Sequence, residues 1–144
     1  MTNKPSIAVV LLLAGFAAGR ISAGPATVAA QTPAAHVYEL RTYTAVEGKL
    51  ANVNARFRDH TRAIFEKHDM KSVGYWTPVE GPTAGTTLVY LLEHPSRDAA
   101  TKNWAAFRAD PEWVKVKADS EAAGPIVAKT ESVYLTPTDY SPMK

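Results

Sequence analysis

From Val37 onward the order of hydrophobic and polar residues changes period several times, and each change marks an element. Residues 37–44 (Val-Tyr-Glu-Leu-Arg-Thr-Tyr-Thr) are rich in β-branched and aromatic types and predict a first strand. Leu50, Val53, Phe57, His60 or Thr61, and Ile64 then recur at steps of three and four, which predicts a helix from Val46 or Gly48 to His68 with one buried face. Lys71 to Thr77 reads as a second strand ended by Pro78. Thr87 to Glu93 reads as a third, and the turn formers Glu80-Gly81-Pro82-Thr83-Ala84-Gly85 join the two as a hairpin. Ser96 is placed to cap a second helix with Asp98 in its first turn and Ala99, Ala100, Trp104 and Phe107 on its inner face. Asp110-Pro111-Glu112 restarts that helix, with Asp as cap, Pro at the first position and Glu at the positive end, and Gly124-Pro125 ends it. Lys129 to Leu135 is the last strand, and a proline-containing tail follows from Thr136.

The order β-α-β-β-α-β is the split βαβ plan called ferredoxin-like, an α+β architecture with one antiparallel sheet and both helices on one of its faces. The second face of such a sheet is too apolar along strands two and three to stay in water without cost, so a second copy related by twofold symmetry is expected to cover it. Three stretches carry a resemblance. They are Tyr38-Glu39-Leu40-Arg41-Thr42-Tyr43-Thr44, then Gly48-Lys49-Leu50, then Glu66-Lys67-His68-Asp69-Met70-Lys71-Ser72-Val73-Gly74-Tyr75-Trp76. Together with Asp110-Pro111-Glu112-Trp113 they make the chain resemble the NIPSNAP family, from Val37 to about Pro142. The resemblance implies a dimeric α+β barrel built from two sheets and no settled reaction. It also implies a glycine where Asp69 stands, a position in the left-handed conformation that ends a helix and that Asp tolerates at some strain.

The leader changes the picture of charge and place. Lys4, the apolar run Ile7 to Ala18 and the small residues Val28-Ala29-Ala30 have the order of a secretory signal, so residues 1–30 are expected to be cleaved after Ala30, or alternatively after Ala23 in Ile21-Ser22-Ala23. Arg20 interrupts the run before it is long enough to span a bilayer, so stable membrane insertion of the mature chain is not expected. The expected compartment is periplasmic or secreted, residues 31–36 are a linker, 37–136 the folded domain and 137–144 a tail. Of the 16 Lys and Arg residues two, Lys4 and Arg20, fall in the leader, which leaves 14 against 14 Asp and Glu. A neutral domain without a cationic cluster is a poor partner for nucleic acid. The absence of cysteine excludes disulfides and thiol chemistry.

Alternation in strand one sends Val37, Glu39, Arg41 and Tyr43 to one face and Tyr38, Leu40 and Thr42 to the other. If the second, more apolar row packs on the helices, Glu39, Arg41 and Tyr43 point into the barrel and line a ligand cavity, where an arginine fork suits a carboxylate or phosphate. Trp76 is a further lining candidate, because Gly74 and Ser72 beside it leave room. The bland alternative is a Glu39–Arg41 pair that serves structure alone. His60, on the expected inner stripe of helix one, is the candidate acid or base, and His68 needs no role beyond favouring the helix end. No histidine pair has a metal-binding spacing, and no phosphate loop or dinucleotide fingerprint is present, so no metal and no cofactor are expected. Two readings follow: a noncatalytic dimer binding a small, partly apolar molecule, or a cofactor-independent enzyme resembling small monooxygenases or isomerases. A structural or interaction role is the third.

Overall fold

The computed structural model describes residues 36–143, and the expected leader lies outside the described residues. Strands β1 (Val37–Ala45), β2 (Lys71–Trp76), β3 (Thr87–His94) and β4 (Val127–Leu135) form one sheet in the order β2-β3-β1-β4, with every neighbouring pair antiparallel. Helices α1 (Leu50–Arg56) and α2 (Arg62–Lys67) follow β1, and α3 (Arg97–Ala109) and α4 (Pro111–Ser120) follow β3. Side chains of both helical segments pack on the same side of the sheet: Phe57 and Phe65 on Tyr90, and Trp104 on Arg41. The ferredoxin-like α+β plan expected from the pattern is therefore the fold.

The caps are those the sequence announces. Ser96 Oγ accepts from the Ala99 N–H at 3.1 Å, and Asp110 Oδ1 accepts from the Glu112 N–H at 2.8 Å with Pro111 at the first position of α4. Asp110 has a second use. Its buried Oδ2 lies 2.7 Å from both Lys67 Nζ and His68 Nε2, which ties the end of α2 to the start of α4. The Lys67 hydrogen bond first, and then that of His68, hold the Asp110 carboxyl well below the usual range.

Between α1 and α2, residues Phe57–Thr61 make one wider, π-helical turn. The extra residue rotates everything after it, so the buried row runs Val53, Phe57, Thr61, Ile64 and Phe65. This corrects the expectation for His60: the turn puts Thr61 inside and His60 on the solvent side, in a 510 Å³ groove between the first helical segment and α4.

At Asp69 the backbone adopts φ 53°, the left-handed conformation inferred from the sequence, and Asp69 N–H closes the turn on Glu66 O. Because Cβ crowds the carbonyl in that conformation, Asp69→Gly is expected to raise stability, by up to about 1 kcal/mol after the added freedom of the unfolded glycine is counted. Thermal unfolding of the variant measures this, and a lower midpoint contradicts it.

The open face is also corrected in detail. Glu39, Arg41 and Tyr43 pair in register with Leu92, Tyr90 and Leu88, the buried row of β3, so the polar row of β1 faces the helices. Tyr38, Leu40 and Thr42 face away from them, in register with Glu93, Leu91 and Val89. A bulge between Ser72 and Gly74 breaks the alternation of β2, so Ser72 joins Tyr75 on the helix side, where their hydroxyls are 2.6 Å apart. Trp76 stays on the open side with Gly74, half exposed, and its indole lies over that glycine so closely that an added Cβ there meets the ring at 2.6 Å. The indole occupies the room that Gly74 was expected to leave.

Candidate functional site

The odd row of β1 brings a carboxylate into the core, where an isolated charge is costly and must be satisfied. Glu39 is 1% exposed. Its Oε2 accepts from the Trp104 indole N–H at 2.6 Å and lies 3.0 Å from His94 Nε2. Its Oε1 accepts from Ser132 Oγ–H at 2.6 Å and Arg41 Nη1–H at 2.8 Å. One strand thus supplies the acceptor, and β3, β4, α3 and β1 itself each supply one donor. Burial alone raises the pKa of such a group, but the hydrogen bonds from His94, Ser132, Trp104 and Arg41 outweigh it and bring Glu39 down to about 2. An ionised carboxylate only accepts, so the proton facing it is on His94 Nε2.

Arg41 is held from two directions. Glu39 fixes one end of the guanidinium, and its carbon lies 4.2 Å from the centre of the Trp104 ring and 5.6 Å from that of Tyr43. Tyr43 in turn meets Phe57 and Tyr90 edge-on at 5.5 and 5.4 Å. Around this point three buried polar atoms have no partner among the described residues: Arg41 Nε, the Tyr90 hydroxyl and His94 Nδ1. Burial first, and then the neighbouring Tyr43, push the Tyr90 phenol well above its ordinary range, so it stays a donor. Toward the sheet edge the site opens: Ser132 is exposed on β4, and Arg97, at the start of α3, lies over Tyr134 at 3.3 Å from the ring centre.

The structure therefore brings Glu39, Arg41 and Tyr43 together, as their spacing on one strand requires, but between sheet and helices rather than inside a barrel. Trp76 lies on the opposite face, and His60 in a separate groove. His94 falls just outside the strand that Thr87 to Glu93 predicts, beside Pro95. Its place at the end of the row Leu88, Tyr90, Leu92, His94 was the available signal for a buried imidazole. Ser132 carried no comparable signal, since β4 is exposed along most of its length. Among the described residues no group of three or more acidic or histidine side chains is arranged to hold a metal ion, and no helix is long and apolar enough to cross a membrane.

Fold and site together define a ferredoxin-like α+β domain built around a buried, ionised carboxylate. The chain belongs to the NIPSNAP family, whose model matches residues 38–142. No curated protein matches it. A NIPSNAP family protein of unknown function from Agrobacterium tumefaciens superposes with a TM-score of 0.67 at 23% identity, covering 77% of this chain and 96% of that one. An uncharacterised NIPSNAP-like domain protein from Burkholderia xenovorans gives 0.66 at 20% identity, with coverage of 76% and 90%. SnoaB, a cofactor-independent oxygenase from Streptomyces nogalater, gives 0.50 at 17% identity, with coverage of 76% and 99%. At these identities the likeness is one of fold.

Proposed function

We propose that this NIPSNAP domain is an exported homodimer that binds a small, partly apolar molecule by its polar head at Arg41. The observation that carries the reading is the use made of Glu39: an ionised core carboxylate fixes Arg41 against the face of Trp104 while the buried guanidinium Nε, on the helix side of the sheet, keeps an unused donor. A buried ion pair that serves packing alone is replaceable, both partners together, by apolar side chains at little loss. A carboxylate that pre-orients an arginine does what a binding site requires. His60, on another flank, gives no support to acid–base catalysis here. The likeness to the oxygenase supplies a fold and no residue, so binding is the better-supported reading.

The dimer rests on the open face. Leu40, Val89, Leu91, Val133 and Trp76 share it, and Val133 and Trp76 are more than half exposed. Ion pairs Lys71–Glu93 and Lys129–Glu131 edge this band. An apolar centre with a charged rim fits a twofold contact between two sheets, which closes the α+β barrel. Export rests on the order of charge, apolar run and small residues in positions 1–30.

Native mass spectrometry of the protein collected after export in a bacterial host tests these statements together. The expected species is a dimer starting at Gln31 and carrying added small-molecule mass, and Arg41→Ala is expected to remain a dimer without that mass. Glu39 keeps three donors in the variant, so its fold should survive. An empty wild-type dimer contradicts the ligand, and a variant that unfolds makes Arg41 a structural ion-pair member.

A further inference from the structure

The wider turn at Phe57–Thr61 has a second effect, on the side of the helix away from His60. In an α-helix a step of four residues overshoots the 3.6-residue turn, so a row at i, i+4, i+8 drifts around the axis. The extra residue per turn between Phe57 and Thr61 takes back that drift, and Asn54, Arg58 and Arg62 line one side together. They border a pocket of 190 Å³ between this helix and strands β2 and β3, whose other walls are Phe57, Tyr75 and Leu88.

The chemistry of the pocket is one-sided. Phe57 and Leu88 are core residues, and Tyr75 is fixed by its hydroxyl contact with Ser72 and by stacking on Tyr90 at 5.6 Å, so the floor is apolar and rigid. No carboxylate lines the pocket. Arg58 and Arg62 are exposed, and neither has a carboxylate partner among the described residues, whereas Arg41 and Arg56 are both paired. The nearest acid in sequence, Asp59, lines the groove of His60 on another flank, and Glu66 lines a neighbouring groove that shares Arg62 and Tyr75 with this pocket. The volume sets the size: a cavity of about 150 Å³ is enough to hold benzene.

We propose that this pocket binds a small monocarboxylate, its ring or short branched chain resting on Phe57, Tyr75 and Leu88 and its carboxylate held by Arg58, Arg62 and the Asn54 amide. Two guanidinium groups and an amide offer the parallel donors that a carboxylate accepts. An inorganic anion lacks the apolar part that would cover the floor, so the floor distinguishes the two. The site is separate from that at Arg41 and stands or falls independently of it.

Sodium benzoate is the probe, titrated into the full chain at constant ionic strength and followed by amide NMR, with inorganic phosphate as the parallel titration. The expected result is saturable movement of the Asn54, Phe57, Arg58, Arg62, Tyr75 and Leu88 signals by benzoate and not by phosphate. Arg62→Ala and Arg58→Ala, both surface changes that leave the core intact, should each weaken benzoate at least tenfold, while Arg41→Ala leaves this binding unchanged. Equal, non-saturating shifts with both anions overturn the proposal, as does benzoate affinity that survives in the Arg58→Ala/Arg62→Ala double variant.

Discussion

Glu39→Ala is expected to lower stability by about 3–5 kcal/mol, the usual cost of removing one partner from a buried charged pair. The variant leaves the indole N–H of Trp104, Nε2 of His94, the Ser132 hydroxyl and the Arg41 guanidinium without their shared acceptor. Denaturant titration at pH 7 reads the loss, and a change under about 1 kcal/mol contradicts the description of Glu39 as an ionised hub. The pH dependence gives a second reading. Its folded pKa, about 2, lies below the ordinary 4.5, so its contribution is complete above pH 4.5 and is lost as pH falls toward 2. At 1.36 kcal/mol per pKa unit the amount is about 3 kcal/mol. Glu39→Gln should therefore show a flatter acid limb between pH 4.5 and 2. The slope that remains belongs to Glu93, Asp110 and Glu121, whose pKa values are also lowered.

The second large effect is expected at Trp104. Truncation to alanine removes a buried indole packed on Phe65 at 5.5 Å and Phe107 at 5.4 Å, and large aromatic-to-alanine changes in cores cost about 3–5 kcal/mol. It also takes away one donor to Glu39 and the surface on which Arg41 lies. Trp104→Phe separates these contributions, because it keeps part of the volume and loses the N–H. A loss of about 1–3 kcal/mol is expected for it. Because Trp104 and Glu39 share a hydrogen bond, the double variant Glu39→Ala/Trp104→Ala should cost less than the sum of the single changes. Additive losses contradict the contact.

The order and type of the elements were legible because each carries a local signal: period two in β1 and β3, steps of three and four in the helices, and caps at Ser96 and Asp110. What local signals could not convey was the facing of β1. Alternation separates a strand into two rows but does not say which row is buried, and composition points to the more apolar row Tyr38, Leu40 and Thr42 as the one on the helices. The polar row took that place because its donors come from far along the chain, at His94, Trp104 and Ser132, where no pattern within β1 reports them. His60 failed for a different reason. Asn54-Ala55-Arg56-Phe57-Arg58-Asp59-His60 contains nothing that distinguishes a π-helical turn from an α-helical one, so spacing alone leaves His60 and Thr61 both open beyond Phe57, and the wider turn decides for Thr61. In β2 the bulge beside Gly74 moves Ser72 to the helix side and leaves Trp76 on the open face with Gly74.

Glu39 also decides how β1 is threaded. Sliding β1 by two residues against β3 and β4 preserves its alternation and nearly all of its apolar matching, so the hydrophobic pattern discriminates weakly against that error. After such a slip the position reached by the Trp104 indole, the His94 imidazole and the Ser132 hydroxyl is occupied by Val37 or Arg41, neither of whose side chains can accept a hydrogen bond. Three donors, two of them buried, then lose their acceptor at once. The carboxylate acts as a key that admits one alignment of the central strand, and the correct pairing of a four-stranded sheet depends on a single side chain in its middle.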